Sequence, residues 1–388
     1  MKRFRFLTSG ESHGKCLNAI IEGVPAGIRI KEDIINADLA RRQVGYGRGA
    51  RMKIEHDTVE IKSGVRFGKS TGAPICLEIT NKDFANWEDA MSTKGYDYPT
   101  EDFLKKVDEK AFTKVRPGHA DYAGSIKYNL SDLRDVLERS SARKTAIEVA
   151  VGSVAKQILK EFGIISFSHV VQIGNVKLDF YPKTYTLIKE KAESSDVMCA
   201  DDLTADRMRN AIDLASQEGD TLGGKFEVIF GNLPIGLGSY VHWDQMLDGR
   251  IAQAIMSIPA VKAVEVGAGV DSAHLKGSQM HDEIFVDRNK NISRQTNNAG
   301  GIEGGMTNGE TLIVKGTMKP IPTMRKLLAT VDLKDMTPAN AHFERSDTCA
   351  VPACSVVAEA RVAIIIVDEL LAKIGGDSLV EMKAHYGM

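Results

Sequence analysis

Glycine clusters run along most of the chain, and they constrain its fold more than any other feature. The 388 residues include 35 glycines, and the clusters extend from residue 10 to residue 305 with helical patterns between them. Glycine lets a backbone turn sharply and lets a ligand approach closely. If these loops converge on one site, the chain folds around it as one unit. Since no proline-rich or serine-rich linker divides the sequence, we predict a single domain over residues 1–388.

Short apolar segments and helical patterns are mixed irregularly, which indicates the fold class. Apolar segments of strand length lie at 19–21, 59–61, 75–79, 226–230, 261–266 and 312–314. Helical patterns lie at 32–43, 144–162, 202–217, 243–258 and 356–374. Several strands follow one another directly, and no Gly-x-Gly-x-x-Gly motif follows a strand near the N-terminus. The pattern therefore favours an α+β, layered architecture over a doubly wound sheet.

Two stretches lack clear periodicity. Residues 82–115 and 180–201 are charged and partly aromatic, and Pro99 and Pro182 interrupt them. We predict long, mobile loops or short helical insertions at both places.

Composition and charge exclude several classes of partner. The net charge of −2 gives no basic field for nucleic acid. The longest purely aliphatic run, Val362–Val367, is too short to cross a bilayer, and no signal-peptide core follows Met1. Five scattered cysteines without a Cys-x-x-Cys pair indicate reduced thiols. We expect a cytoplasmic protein that binds neither nucleic acid nor membrane.

A histidine in a glycine turn is the first candidate for chemistry. Gly10-Glu11-Ser12-His13-Gly14 directly follows a short apolar run at 4–7. Histidine changes its charge near neutral pH and suits acid/base catalysis. The alternative is a surface turn that happens to contain histidine. A second such segment at 116–121, with His119, and Arg345-Ser346-Asp347 favour the catalytic interpretation.

Arginine and glycine alternate between Arg41 and Arg51. Four arginines and three glycines occupy these eleven residues. A guanidinium matches phosphate or carboxylate oxygens, and glycine lets backbone N–H groups close around an anion. We predict a pocket for a small molecule with several negative charges. A solvated basic loop and an RNA-binding tract are the alternatives, and the near-neutral net charge weighs against RNA.

Three more segments have ambiguous signals. Residues 139–146 hold two serines before a long helix, which can cap that helix or bind an anion. Five glycines between 297 and 309 form either a ligand cradle or a wide surface hairpin, and the rigid segment 319–323 follows. His281 stands beside Asp282 and Glu283, but no second ligand pair at regular spacing supports a metal site. We therefore expect no metal.

These segments together resemble the chorismate synthase family. The matching pieces lie at 10–14, 22–27, 41–51, 116–121, 139–146, 298–305 and 345–352. The resemblance covers about residue 3 to about residue 372, in the family's order. It implies a single-domain β-α-β layered sandwich, a homotetramer and a lyase. The implied reaction removes phosphate from 5-enolpyruvylshikimate 3-phosphate to give chorismate, with reduced FMN and no net redox change.

The resemblance also implies roles for individual residues. His13 would protonate the departing phosphate, and His119 would lie near flavin N1. Asp347, with Ser12 and Ser141, would handle the proton at flavin N5. The implied substrate contacts are Arg42, Arg48, Arg134 and Arg345. The implied FMN contacts are Arg139, Ser140, Ser141, Pro259, Ala260, Gly304, Lys319, Pro320, Ile321, Pro322, Thr323 and Arg345. Pro259 stands where relatives commonly have asparagine.

The source of reducing equivalents stays open at this point. Relatives have an NADP-contacting pair in the arginine segment; Arg48 matches one member, but the other position holds Ile54. We therefore favour an external flavin reductase over an NADPH-dependent activity of the chain itself.

Two rival functions use the same pocket. A flavin- or phosphosugar-binding regulator would explain the arginines and glycines but leaves His13, His119 and Asp347 without a task. An ordinary flavin oxidoreductase is the second rival.

Overall fold

A computed structural model describes residues 3–49, 56–95, 99–344 and 347–388. The strands are β1 Arg5–Ser9, β2 Cys16–Glu22, β3 Val59–Ser63, β4 Val65–Arg66, β5 Lys69–Ser70, β6 Ile75–Thr80, β7 Ile165–Ile173, β8 Val176–Lys177, β9 Gly224–Gly231, β10 Val261–Val266, β11 Ile284–Val286, β12 Ile292–Arg294, β13 Ile302–Glu303, β14 Met306–Thr307, β15 Leu312–Met318, β16 Ala329–Asp332 and β17 Thr337–Asn340. The helices are α1 Glu32–Gln43, α2 Glu101–Lys110, α3 Asp121–Tyr128, α4 Leu133–Ser140, α5 Thr145–Lys160, α6 Tyr185–Ser194, α7 Asp202–Gln217, α8 Leu247–Met256, α9 Gly277–Met280, α10 Val351–Ile374 and α11 Leu379–Tyr386.

The N-terminal strands form a four-stranded antiparallel sheet in the order β1-β2-β6-β3. Alternate residues of β2 and β6 are buried, as the two-residue period of a strand requires. Leu17, Ile21 and Leu77 are fully buried, and α5 packs against this sheet. The turn between β1 and β2 carries His13 at one end of the sheet.

A second antiparallel sheet has five strands in the order β10-β15-β9-β7-β8. On one face, Phe226, Val228 and Phe230 of β9 are fully buried, and β7, β9 and β15 pack against α10. Ser166 of β7 donates to Glu359 of α10 across this contact. The long helix α10 is therefore the support on which the second sheet rests.

Helices α5 and α10 join the two sheets. They pack against each other at Gly152, where a Cβ atom would overlap Ala360. Their side chains belong to one large cluster of buried apolar residues, which extends from Phe4 to Met382. The mixed helix-and-sheet class predicted from the sequence is confirmed.

Most predicted helices agree closely with the structure. Residues 32–43 and 202–217 form α1 and α7 with those bounds, and Asp201 caps α7 by accepting from the Thr204 amide at 2.8 Å. The predicted helix 243–258 is divided, because Met246 is extended between a 3₁₀ turn at 243–245 and α8. Helix α10 begins at Val351, five residues earlier than predicted from the sequence. Pro352 lies in its first turn, where a missing N–H costs no hydrogen bond.

The two stretches without periodicity contain short helices. Residues 82–115 hold a 3₁₀ turn at 82–86 and α2, and residues 180–201 hold α6. Their mobility stays a prediction. Within the described ranges, none of the helices combines the length and the apolar character that a bilayer crossing requires.

Candidate active site

One cavity of about 580 Å³ collects segments from both ends of the chain. Its volume is in the range usual for small-molecule sites. The predicted site residues that line it are Ser12, His13, Arg42, Arg48, His119, Ser140, Ser141, Pro259, Ala260, Lys319, Ile321, Pro322, Thr323 and Asp347. The two histidine turns and the arginine–glycine segment therefore meet at this cavity, whereas none of residues 297–309 lines it.

Four predicted residues lie elsewhere. Among the described residues, Arg134, Arg139, Gly304 and Pro320 are not part of the cavity lining. Arg345 lies outside the described residues, as does Ile54. The guanidinium of Arg139 donates to backbone carbonyls of the β1 end, and Arg134 forms an ion pair of 2.8 Å with Glu344, which does line the cavity.

The glycine-rich segment 298–305 ends in the hairpin β13–β14, so the hairpin interpretation describes its backbone. Gly300 lies against Gly267, and a Cβ atom on either would overlap the backbone of the other segment. Gly304 has a φ of +56°, in the left-handed region. Close packing of two chain segments explains at least Gly267 and Gly300 without a ligand.

The turn that carries His13 is fixed by α4. The His13 backbone N–H donates to Glu138 Oε2 at 2.7 Å, and His13 Nδ1 lies 2.7 Å from Glu138 Oε1. Both side chains are almost fully buried. On the other side, His13 stacks on Trp87 with ring centroids 3.8 Å apart. Imidazole orientation is therefore restrained at its edge and at its face.

His119 is restrained by a second buried carboxylate. His119 Nδ1 lies 2.7 Å from Asp121 Oδ1, and Arg116 donates to both carboxylate oxygens at 2.8 Å. Burial raises the pKa of Asp121, but hydrogen bonds from Arg116 and His119 outweigh it and hold that pKa well below its usual range. Asp121 is therefore ionised at neutral pH, at the start of α3.

Three arginines form a positive wall. Arg143 Nη1 donates to both oxygens of Asp57 at 2.7 and 2.6 Å, and Arg42 Nη1 lies 3.7 Å from the same carboxylate. Burial lowers the pKa of Arg42 to about 10; Arg143 and Arg48 act in the same direction, and Asp57 opposes them. Like charges held together out of water favour binding of an anion.

Arg48 faces Asp347 across the cavity edge. Arg48 Nε lies 3.3 Å from Asp347 Oδ2, and the Gly49 N–H donates to Asp347 Oδ1 at 2.7 Å. Three guanidiniums therefore face two carboxylates on this wall, which leaves an excess of positive charge for a ligand.

Two serines meet beside His13. Ser12 Oγ lies 3.3 Å from Ser141 Oγ. Ser141 also accepts from the Arg143 amide at 3.2 Å and caps the 3₁₀ turn at 142–144. Ser141 therefore caps the 3₁₀ turn that precedes α5 rather than α5 itself. It also lines the cavity, and its binding of an anion stays a prediction.

The rest of the cavity lining is part basic and part apolar. Lys319 Nζ donates to the Gly118 carbonyl at 2.6 Å, which joins the segment 319–323 to the His119 turn. Burial and the neighbouring Lys262 lower the pKa of Lys319. Apolar surface comes from α10 and its N-cap residue. The side chains are three or four residues apart, so they share one face of the helix: Ala350, Ala353, Cys354 and Val357.

No metal-ligating cluster is found in the part of the chain that the structure describes. Asp282 accepts from the amides of Asn298 and Ala299 at 2.8 and 2.9 Å and so fixes the glycine-rich loop.

Sequence reasoning did not identify several residues of the site. Glu138, Arg143 and Lys262 were not singled out, and neither was Trp87. Glu138 and Arg143 belong to or adjoin the basic segment at 139–146, which was a usable signal. Lys262 and Trp87 carried no local signal, because only the tertiary fold brings Lys262 to the cavity and Trp87 against His13.

The chain is similar to known proteins over nearly its whole length. The profile of the family described as "Chorismate synthase" matches residues 4–371. A protein named chorismate synthase from Alkaliphilus metalliredigens is 52% identical over 380 residues, covering 98% of this chain and 97% of that relative. Another of that name, from Geobacter metallireducens, is 49% identical over 389 residues, with coverage of 98% and 97%. A solved structure, "Crystal Structure of Chorismate Synthase", matches with a TM-score of 0.78 and 41% identity, covering 100% of this chain and 97% of that one.

Proposed function

The chain belongs to the chorismate synthase family, and we propose that its large cavity removes phosphate from 5-enolpyruvylshikimate 3-phosphate. The reaction is a 1,4-elimination that gives chorismate, the last common step of the shikimate pathway to aromatic amino acids. The chain is accordingly a carbon–oxygen lyase. The observation that carries the assignment of the site is that His13, His119, Arg42, Arg48 and Asp347 line one cavity.

The arginine wall binds the substrate's charges. The substrate carries one phosphate and two carboxylates, and planar guanidiniums form paired hydrogen bonds with such groups. Arg42 and Arg48 make these contacts, and Arg143 adds to the positive potential of the wall. Arg134 acts from behind the cavity through its ion pair with Glu344. The contact of Arg345 rests on the family resemblance alone.

His13 protonates the departing phosphate. Phosphate is a poor leaving group from unactivated carbon, and a proton donor and cationic neighbours stabilise the charge that develops on its oxygens. The buried imidazole lines the same cavity as Arg42 and Arg48, so a proton from His13 and the arginine charges act on one ligand.

Other residues of the cavity lining fit FMN. The residues of α10 and its N-cap at 350–357 present small apolar side chains against which a planar ring system can lie. Lys262 and Lys319 supply positive charge for a phosphate, and the segment 321–323 lines the same cavity. When bound in its reduced form, FMN supplies the electron-rich ring that this elimination needs without net redox change.

His119, the serine pair and Asp347 place protons around that ring. His119 lies on the turn that Lys319 contacts, which supports its place near flavin N1. The hydroxyls of Ser12 and Ser141 lie within hydrogen-bond range of each other, and with Asp347 they would hold the proton that the family resemblance assigns to flavin N5. FMN binding also depends on three residues that hold the segments in which they lie: Arg139, Pro320 and Gly304.

The remaining properties follow the family. We propose a one-domain chain with the family's β-α-β layering that assembles as a homotetramer in the cytoplasm. Exposed apolar side chains on the hairpin β11–β12, such as Ile284 and Ile292, support contact with further copies. Reducing equivalents come from an external flavin reductase, since Ile54 replaces an NADP contact.

Phosphate release under anaerobic conditions tests the proposed function. The protein is incubated with substrate and photoreduced FMN, and phosphate and flavin absorbance are followed together. The lyase releases phosphate without net flavin oxidation. A binding regulator releases none, and an oxidoreductase oxidises the flavin. Replacing light by NADPH then tests the source of electrons, and steady turnover would contradict the external reductase.

A further inference from the structure

Glu138 contacts two neighbouring residues of the turn between β1 and β2, Ser12 and His13. Its backbone carbonyl accepts from the Ser12 amide at 2.9 Å, and its two carboxylate oxygens contact the His13 backbone N–H and Nδ1, each at 2.7 Å. We infer that Glu138 is the positioning residue for His13. It orients the imidazole so that Nε2 is the atom that exchanges a proton with the ligand. This inference rests on the role proposed above for His13.

The direction of the ring contact follows from the donors available. A carboxylate can only accept, so the proton of this hydrogen bond is carried by Nδ1. The same carboxylate already accepts a hydrogen bond from the His13 backbone N–H. This second hydrogen bond fixes the position of the carboxylate relative to the imidazole ring. A carboxylate at Nδ1 selects one tautomer and one ring orientation, and losing it impairs proton transfer at the other nitrogen.

Trp87 restrains the ring in the other direction. Its indole lies 3.8 Å from the His13 imidazole, at an angle of 23° between the planes. The indole is itself held, because Nε1 donates to Asp83 and the cations of Lys110 and Arg134 lie 4.4 and 5.0 Å from its ring centre. Glu138 thus fixes one edge of the imidazole while Trp87 fixes its plane.

The second cavity histidine repeats the arrangement. Asp121 contacts His119 Nδ1 at 2.7 Å, as Glu138 contacts His13. Each carboxylate also has a neighbouring guanidinium, Arg116 for Asp121 and Arg134 for Glu138, where Arg134 Nη1 lies 3.6 Å from Oε1. Both imidazoles of the site therefore have a buried carboxylate on Nδ1, although Glu138 comes from a helix far from His13 in the sequence.

The test replaces Glu138 by glutamine and reads out the ring directly. A glutamine amide keeps an oxygen at only one of the two positions that contact His13. The NH₂ group at the other position is a donor, so it cannot accept from the backbone N–H or from an Nδ1–H there. The matched control is Glu148→Gln, which changes another buried helical carboxylate, paired with Arg361 outside the cavity lining. In protein labelled with ¹⁵N-histidine, the Nδ1–H resonance of His13 is assigned with a His13→Gln variant.

We expect that resonance in the wild type and in Glu148→Gln, and its loss or a large shift in Glu138→Gln. In the anaerobic assay, kcat of Glu138→Gln falls about a hundredfold, the range for a disabled acid/base group, while KM changes little. Adding Glu138→Gln to His13→Gln causes no further fall, because Glu138 acts through His13.

Other outcomes overturn the inference or the function separately. An unchanged His13 resonance in Glu138→Gln, or a further fall of kcat in the double variant, means that Glu138 does not act by positioning His13. Full activity of His13→Gln contradicts the proposed role of His13, whereas the resonance still decides whether Glu138 holds the ring. If Glu138→Gln does not fold, Glu138→Asp is measured in the same way, and an unaltered resonance and kcat there contradict the inference.

Discussion

The indole of Trp87 lies flat against the imidazole of His13, with ring centroids 3.8 Å apart. Trp87 belongs to the stretch 82–115, which has no clear periodicity in the sequence, so the placement of the proposed proton donor depends on the connection between the 3₁₀ turn at 82–86 and α2. The stack also excludes water from one face of His13. Substitutions at Trp87 should therefore affect catalysis although the indole is not part of the cavity lining.

Trp87→Leu should lower kcat of the anaerobic reaction about fivefold. Aromatic stacking contributes about 1 kcal/mol beyond burial, and without it the His13 ring is less well oriented. Trp87→Phe should retain most of the activity, because a phenyl ring can still stack.

The matched control is Trp243→Phe. Trp243 is 81% exposed, and its replacement should leave kcat unchanged. Wild-type kcat in Trp87→Leu would show that the stack has no part in orienting His13.

Arg48 provides a second test, at the arginine wall. Arg48→Ala should raise KM for the substrate by about thirtyfold, because a lost hydrogen bond between charged groups costs about 2 kcal/mol. Arg48→Lys should restore only part of this, since lysine lacks the planar fork that can reach Asp347 and a ligand together.

Arg207→Ala is the control for charge alone. Arg207 lies on α7, is more than half exposed and pairs with Asp179 at 3.4 Å, so its loss should not change KM. Complete rescue by Arg48→Lys would mean that the contact of Arg48 with substrate is not bidentate.

The sequence predicted the parts of the site better than their arrangement. The histidine turns and the arginine–glycine segment carry local chemical signals, and His13, His119, Arg42 and Arg48 do line the cavity. Arg139 shows the limit of such signals. An arginine beside two serines resembles an anion ligand, but here it donates to the carbonyls of Thr8 and Gly10.

The same limit applies to glycine. Glycine at residue 300 permits the close approach of the Gly267 backbone, and a sequence cannot show whether a ligand or another chain segment approaches a glycine. The Glu138 contact was equally hidden, because it joins residues that only the packing of α4 against the β1–β2 turn brings together.

Gly152 tests the contact between the central helices. A Cβ atom there would overlap Ala360 of α10, so Gly152→Ala should destabilise the protein by about 2 kcal/mol through overpacking. Urea unfolding measures the change. Gly249→Ala, in α8 where the nearest atom is 3.9 Å away, should instead stabilise by up to about 1 kcal/mol because alanine favours helix.

A compensating change sharpens this prediction. Adding Ala360→Gly to Gly152→Ala removes the overlap and should recover part of the lost stability. An unfolding midpoint of Gly152→Ala equal to that of Gly249→Ala would show that α5 and α10 are not in close contact at this position.

The carboxylate of Asp121 predicts a specific dependence of stability on pH. Its pKa is held well below the ordinary 3.8 by Arg116 and His119 despite burial. A depressed pKa in the folded state contributes stability that is fully present above about pH 5 and is lost as the pH falls through 3.8 toward the lower folded value. Asp121→Asn should therefore lower the free energy of unfolding by roughly 3 kcal/mol at pH 7, the cost of breaking a buried ion pair. The difference from wild type should shrink steadily as the pH falls from 5 to 3. Asp202→Asn, which removes an exposed carboxylate at the start of α7, should change the unfolding free energy little between pH 7 and pH 3. A difference between wild type and Asp121→Asn that stays constant over that range would mean that the Asp121 charge does not stabilise the His119 turn.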